Sequence, residues 1–200
     1  MPGDKQGDTT DRSYTARLVR LQLRGWKQLL DVQAPYRWNL RRLLGGRRVL
    51  DLGCGIGRNL AHLADGSVGV DHNEHSVRLC RQRGLTAYTP DEFAAERFEA
   101  PFEGILAAHV LEHLPEGQAV PLLRDYLPRL QPGGRVVLIC PQERGFASDA
   151  THTVFLDDDA LRGVCAELGL TLQCQSSFPF PRWMGKLFTY NEFVTVAHSP

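Results

Sequence analysis

The chain has 200 residues, 42% of them hydrophobic and 23% charged, with 23 Lys/Arg balanced by 23 Asp/Glu. That length fits one domain with a substantial core, and the balance excludes a disordered or fibrous chain. The polar start MPGDKQGDTTDRS and the lack of any long apolar run predict neither a signal peptide nor a membrane-spanning helix.

Residues 1–13 are Gly-, Asp- and Thr-rich without periodicity and are expected to be disordered, leaving 14–200 as a single domain. Within 14–47, Leu18, Leu21, Leu29 and Leu30 recur at helical spacing, and Pro35 divides the stretch into two helices. From Arg12 to Arg48 there are ten Lys/Arg and one acid, Asp31, so this segment carries +9 and the remainder −9. A solvated basic helix face explains that, and so does attraction of an anionic partner such as RNA.

From Arg48 the pattern changes to short apolar runs, RRVLDLGCG, GSVGVDHN, FEGILAAHV and GGRVVLICP. Amphipathic stretches Asn59–Leu63, His75–Arg83 and Ala119–Leu130 lie between them. This alternation predicts a doubly wound α/β domain over 48–200, a mainly parallel seven-stranded sheet with helices on both faces. Asp158–Leu168 reads as a helix with Asp157 as its N-cap. LTLQC and EFVTVAH then form an antiparallel hairpin closing the sheet edge. The five cysteines are odd in number and never spaced C-x-x-C, as expected of reduced thiols in the cytoplasm.

VLDLGCGIG places Asp51, Gly53, Gly55 and Gly57 at the carboxyl end of the first strand, where open α/β sheets bind ligands. A phosphate-binding P-loop needs G-K-[ST] to close the turn, and Gly57 is followed by Arg58-Asn59. A dinucleotide fingerprint needs a third glycine where Arg58 stands, which also argues against a nicotinamide oxidoreductase. Asp71 ends the second strand twenty residues after Asp51, where a carboxylate accepts both hydroxyls of a ribose.

With VLDLGCGIG, GVDHN, the strand running into VLEHL, and LQPGGRVVLI, the chain resembles the class I S-adenosylmethionine-dependent methyltransferases over roughly Arg48 to His198. The resemblance implies S-adenosylmethionine as cofactor and S-adenosylhomocysteine as product. It implies cofactor-binding roles for Asp51, Gly53, Gly55, Gly57 and Asp71, with His72 lining the adenosine. It also implies an adenine contact after the third strand, for which AYTPDEF offers Asp91 or Glu92, with Phe93 as an apolar wall.

After the fourth strand, His109, Glu112 and His113 spell H-x-x-E-H, the zinc signature of one peptidase group. That signature needs a long helix, and Pro115-Glu116-Gly117 cuts this one short, while Glu192, the next carboxylate, sits in an expected edge strand. The spacing places the three side chains on one side of a single turn, where they either pack locally or bind a divalent cation. The stretch is similar to the E-x-x-E-H cluster of metal-dependent RNA 2′-O-methyltransferases and quinone-pathway catechol O-methyltransferases. That likeness implies a later ligand, His152, and Mg²⁺ or Mn²⁺, although His109 stands where those families have an acid.

A histidine is also the expected base for an alcohol acceptor, with His152 first, then His109, and His113 in the same cluster. No N-P-P-Y follows strand four and Cys140 precedes Pro141, which argues against amino-group and cytosine-carbon methylation. Arg182, Trp183 and Tyr190 offer an aromatic wall for a sugar. The expected partner is therefore a small-molecule hydroxyl acceptor such as a saccharide, with RNA or catechol as the alternative and a homodimer left open.

Overall fold

The computed structural model describes residues 33–200. The expected disorder of 1–13, the helix carrying Leu18 to Leu30 and most of the basic segment lie outside these residues. Helix α1 spans Ala34–Leu44 and carries Pro35 in its first turn, where its missing N–H costs nothing. Leu40, Leu43 and Leu44 of α1 pack on the sheet.

The sheet contains β1 (Val49–Leu52), β2 (Val68–Val70), β3 (Ala87–Tyr88), β4 (Phe102–Ala108), β5 (Leu130–Pro141), β6 (Thr171–Phe178) and β7 (Glu192–His198). Their order is β3-β2-β1-β4-β5-β7-β6. The first five pair in parallel, and β7 runs antiparallel to both β5 and β6. The expected seven strands and antiparallel pair are present. One detail differs: β7 inserts between β5 and β6, so Glu192 lies in an interior strand and β6 forms the edge.

Both faces of the central strands are buried, which is why these runs read as continuous apolar stretches rather than alternating ones. Ile105, Ala107, Val136 and Leu138 face one core, with α4 (Ala119–Tyr126) and α6 (Asp158–Glu167) against it. Leu106, Ala108, Val137 and Ile139 face the other, beneath α1. Helix α2 (Glu74–Gln82) is capped by Asn73, whose side chain accepts from the backbone N–H groups of His75 and Ser76. Asp157 caps α6 in the same way, accepting from Ala160 N–H at 3.0 Å.

Asn59–Leu63 forms only a 3₁₀ turn, Leu60–His62, closed by Leu63 N–H donating to Leu60 O. Ala119–Leu130 ends as a helix at Tyr126, since Pro128 cannot continue it.

The topology brings one sheet end together. β1 lies between β2 and β4, so the chain turns in opposite directions from it and opens a crevice at the carboxyl ends. Gly53, Asp71 and His109 each directly follow one of these strands. Because β7 is antiparallel, its first residue, Glu192, arrives at the same end, paired with Pro141 of β5.

Candidate active site

A cavity of about 510 Å³ opens at this sheet end. One wall is the glycine loop. Gly53 and Cys54 donate their N–H groups to Val70 O at 2.8 and 3.1 Å, folding the loop back over β2. Gly53 has φ +67°, and a Cβ there would sit 2.5 Å from Val110 Cγ2. Only glycine satisfies both the left-handed backbone and the close approach of the fourth-strand turn. Gly57 is bound in the same way, with φ +78° and Leu85 Cδ1 2.5 Å from a would-be Cβ.

Asp71 holds the loop in register. Its Oδ2 accepts from Gly55 N–H at 2.7 Å and its Oδ1 from Asn73 N–H at 2.8 Å. The carboxylate is 8% exposed and lines the cavity, while two backbone donors fix its orientation. Gly53, Gly55, Gly57, Asp71 and His72, all expected at the cofactor, line this cavity together. Asp51 lies beneath the loop instead, 1% exposed, with Oδ2 lacking a hydrogen-bond partner. Burial first, then the nearby Cys80 and Asp71, push its carboxyl well above the usual range.

The three candidate adenine contacts lie elsewhere. Phe93 is 3% exposed, packed in an aromatic cluster with Phe98, Phe102 and Tyr126, so it is core and cannot wall a ligand. Asp91 is an exposed residue in the first turn of α3 (Pro90–Ala95) and does not line the cavity. Glu92 closes a capping box with Thr89 and pairs with Arg81 at 2.6 Å, which occupies its carboxylate.

The opposite wall comes from the residues after β4. His109 has φ +57°, a left-handed backbone uncommon outside glycine, and it turns the chain from strand into the 3₁₀ turn Leu111–His113. Its ring Nε2 lies 2.8 Å from Glu192 Oε1, and its Nδ1 lies 3.3 Å from Glu112 Oε1. The ring is 44% exposed, though only into the concave cavity. Burial disfavours its charge, but the two carboxylates outweigh burial and raise the pKa to about 10. His109 is therefore an imidazolium at neutral pH. It cannot accept a proton, which corrects its expected role as a base candidate.

Glu112 is fully buried, and neither oxygen has a hydrogen-bond partner of good geometry. Burial works against its charge, yet contact with His109 holds the carboxyl below its ordinary value. His113 differs from His109. Its Nδ1 lies 3.1 Å from Thr151 O, which only accepts, and 3.1 Å from Thr151 Oγ1, whose own proton goes to Asp149 Oδ1 at 2.9 Å; Nδ1 therefore donates and Nε2 keeps the lone pair. Burial lowers its pKa, so the ring is neutral at pH 7.

The chain after α5 (Glu143–Phe146) is tied back to this turn, since Thr153 and Val154 donate to Glu112 O at 2.8 and 3.2 Å. That brings His152 edge-on to His113, ring centroids 4.8 Å apart, with His152 Nδ1 2.8 Å from Phe146 O. His152 itself does not line the cavity; His113 does. Donor atoms of Glu112, His113 and His152 all lie within 4.8 Å of one another. Three of the four expected metal ligands thus converge, while His109 is turned towards Glu192.

Sequence reasoning missed Glu192 as a site residue. It also missed Tyr36, Arg37 and Arg58, which line the cavity from α1 and from beyond the glycine loop. Of the expected aromatic wall, Trp183 and Tyr190 are exposed outside the cavity lining, and Arg182 pairs with Glu143 at 2.6 Å. Tyr190 meets the cavity through its carbonyl, which accepts from Tyr36 OH at 2.7 Å.

Comparison with known proteins agrees with this geometry. Residues 49–134 match a family described as a methyltransferase domain. A ubiquinone biosynthesis O-methyltransferase of Paracidovorax citrulli is 33% identical over 145 residues, which cover 63% of this chain and 60% of that protein. The chain thus spans less than two thirds of that relative. Among solved structures, a SAM-dependent methyltransferase from Archaeoglobus fulgidus superposes with TM-score 0.67 at 20% identity, covering 94% of this chain and all of that one. The magnesium protoporphyrin IX methyltransferase of Synechocystis with bound SAH gives 0.68 at 15% identity, over 96% of this chain and 97% of that one. Residues 49–134 thus match a methyltransferase domain, and the described chain has the fold of the S-adenosylmethionine-dependent methyltransferases on which it superposes.

Proposed function

We propose that the chain transfers the methyl group of S-adenosylmethionine to a hydroxyl of a small-molecule acceptor. The observation carrying this reading is that one cavity has the glycine loop and Asp71 on one wall and neutral His113 on the other. Methyl transfer from a sulfonium is an in-line displacement, so the protein mainly supplies alignment and somewhere for the proton to go. The acceptor oxygen attacks the methyl carbon, the carbon–sulfur bond breaks to leave S-adenosylhomocysteine, and the hydroxyl proton passes to His113 Nε2. Thr151 O fixes the tautomer that makes this nitrogen basic.

A second reading is favoured by one observation, the convergence of buried Glu112, whose oxygens have no hydrogen-bond partner of good geometry, with His113 and His152. Glu112, His113 and His152 would hold a divalent cation, and two nitrogens with one carboxylate suit Mn²⁺ or Zn²⁺ better than Mg²⁺. Such a cation would lower the pKa of a bound hydroxyl and take over the task assigned to His113. The two readings exclude each other at His113, because a metal-bound imidazole has no free lone pair.

The name of the Paracidovorax relative supports an oxygen acceptor. Within that class, the diol-binding geometry of a metal site favours a catechol or saccharide hydroxyl. The exposure of Trp183 and Tyr190 beyond the cavity removes the sugar-stacking argument, so the two are weighed equally. Formation of S-adenosylhomocysteine over a panel of catechols, monosaccharides and short RNAs tests the proposal. Turnover confined to amine or carbon acceptors overturns it.

A further inference from the structure

Two cysteines that the proposed chemistry leaves unused meet directly beneath the glycine loop. Cys54 is the second residue of that loop and lines the cavity at 7% exposure. Cys80 lies on α2 and is fully buried. Both thiols approach one carbonyl, Gly55 O, at 3.8 Å from Cys54 Sγ and 3.3 Å from Cys80 Sγ. The proximity of the two thiols holds Cys80 below its ordinary range and pushes Cys54 above it, so the pair shares its ionisation. The loop has little slack above them, since a Cβ on Gly57 would sit 3.0 Å from Cys80 Sγ. On the other side, a Cβ on Gly69 would sit 2.6 Å from Cys54 Sγ.

We propose that Cys54 and Cys80 are a modification site, a dithiol that peroxide converts to a disulfide, and that the disulfide closes the cofactor site. This rests on the reading of the glycine loop as the S-adenosylmethionine site. Peroxide enters through the cavity and meets Cys54 first. The Cys54 sulfur bonds to one peroxide oxygen as the O–O bond breaks, and the departing hydroxide takes the thiol proton as water. The Cys80 sulfur then attacks the Cys54 sulfenic sulfur; the S–O bond breaks, and its oxygen leaves with the Cys80 proton as a second water. Two electrons pass from the two sulfurs to peroxide, and a dithiol such as dithiothreitol returns them.

The consequence follows from distance. A disulfide requires sulfurs about 2.05 Å apart, well inside any non-bonded contact between two thiols. Cys54 and α2 must approach each other, and Cys54 sits between Gly53 and Gly55. The hydrogen bonds Gly53 N–Val70 O and Gly55 N–Asp71 Oδ2 set the loop's shape, and a shift of about an ångström at Cys54 disturbs both. Bound cofactor covers Cys54 and opposes the reaction; the disulfide in turn opposes the cofactor. The coupling is reciprocal.

The test uses the whole chain, reduced or treated with hydrogen peroxide, with and without S-adenosylhomocysteine present during treatment. Expected are a Cys54–Cys80 linked peptide by mass mapping, protection by S-adenosylhomocysteine, and at least a tenfold loss of affinity for it that dithiothreitol reverses. Cys80→Ser, compared with itself before and after peroxide, loses the reversible effect. No linked peptide, or a linked peptide with unchanged affinity, overturns the inference. Failure of the reduced chain to bind S-adenosylhomocysteine overturns the cofactor reading and the coupling together, a result distinct from the mapping.

Discussion

His109 Nε2 and Glu192 Oε1 lie 2.8 Å apart although 83 residues separate them in sequence. The bond forms because β7 is antiparallel and begins where β4 ends. With Glu112 on its other nitrogen, the His109 ring carries a charge that the isolated residue would lose near pH 6.5. In metal-free protein, NMR of the ring should show titration near pH 10, and Glu192→Gln should move it several-fold in proton affinity towards ordinary histidine. A raised folded-state pKa means the stabilisation is complete below about pH 6.5 and is lost as pH rises through about 10. Thermal melts of wild type and Glu192→Gln should therefore diverge at neutral pH and converge in alkali. A constant gap across that range contradicts the ion-pair account.

His113 makes the opposite forecast. Its pKa is lowered by burial, so the basic form predominates at neutral pH, and turnover should fall only as the pH drops below 6.5. His113→Gln should lower turnover by about 10²–10⁴, the usual worth of a positioned base. Cofactor affinity should change little. A fall in both alike points to a collapsed turn rather than to lost base catalysis.

Chelation separates the two mechanisms. If Glu112, His113 and His152 hold a cation, calorimetry with Mn²⁺ should show one site that Glu112→Gln abolishes, and exhaustive chelation should stop methyl transfer. If His113 acts alone, activity survives chelation and no heat of Mn²⁺ binding appears. S-adenosylmethionine binding should survive in both cases, because the loop and Asp71 belong to the other wall.

Gly53→Ala tests the packing of the two walls. The new methyl would lie 2.5 Å from Val110 Cγ2, on a backbone with φ +67°. A left-handed alanine costs about 1–2 kcal/mol, and overpacking about 1–3 more. Expected are a lower melting temperature and at least tenfold weaker cofactor binding. Wild-type behaviour in both assays rules out the close loop–turn contact.

The sheet and the glycine-loop wall of the cavity were legible because their determinants are local. VLDLGCGIG and GVDHN each end an apolar run with residues fixed by the turn itself, and Gly53, Gly55, Gly57 and Asp71 meet in the cavity as their spacing implies. The wall that follows β4 was half legible. Glu112, His113 and His152 converge as expected, the last because Thr153 and Val154 bond back to Glu112 O. Glu192 was not legible, since only the insertion of β7 between β5 and β6 carries it to His109, and nothing near it in sequence announces that. Phe93 was misread for a related reason. An aromatic residue after a strand fits a ligand wall and a core equally well, and the ring cluster of Phe98, Phe102 and Tyr126 decides for the core.

Asp71 offers the most direct test that this cavity is a methyltransferase cofactor site. Calorimetry should show S-adenosylmethionine binding saturably at one site per chain, and NADH not at all. Asp71→Asn keeps the size of the side chain and one acceptor oxygen but loses the charge. A charge-assisted hydrogen bond is worth about 1.5–3 kcal/mol, and about 1.4 is a factor of ten, so affinity should fall by more than tenfold with the melting temperature little changed. Equal affinity in wild type and variant, or NADH binding without S-adenosylmethionine binding, would contradict the account.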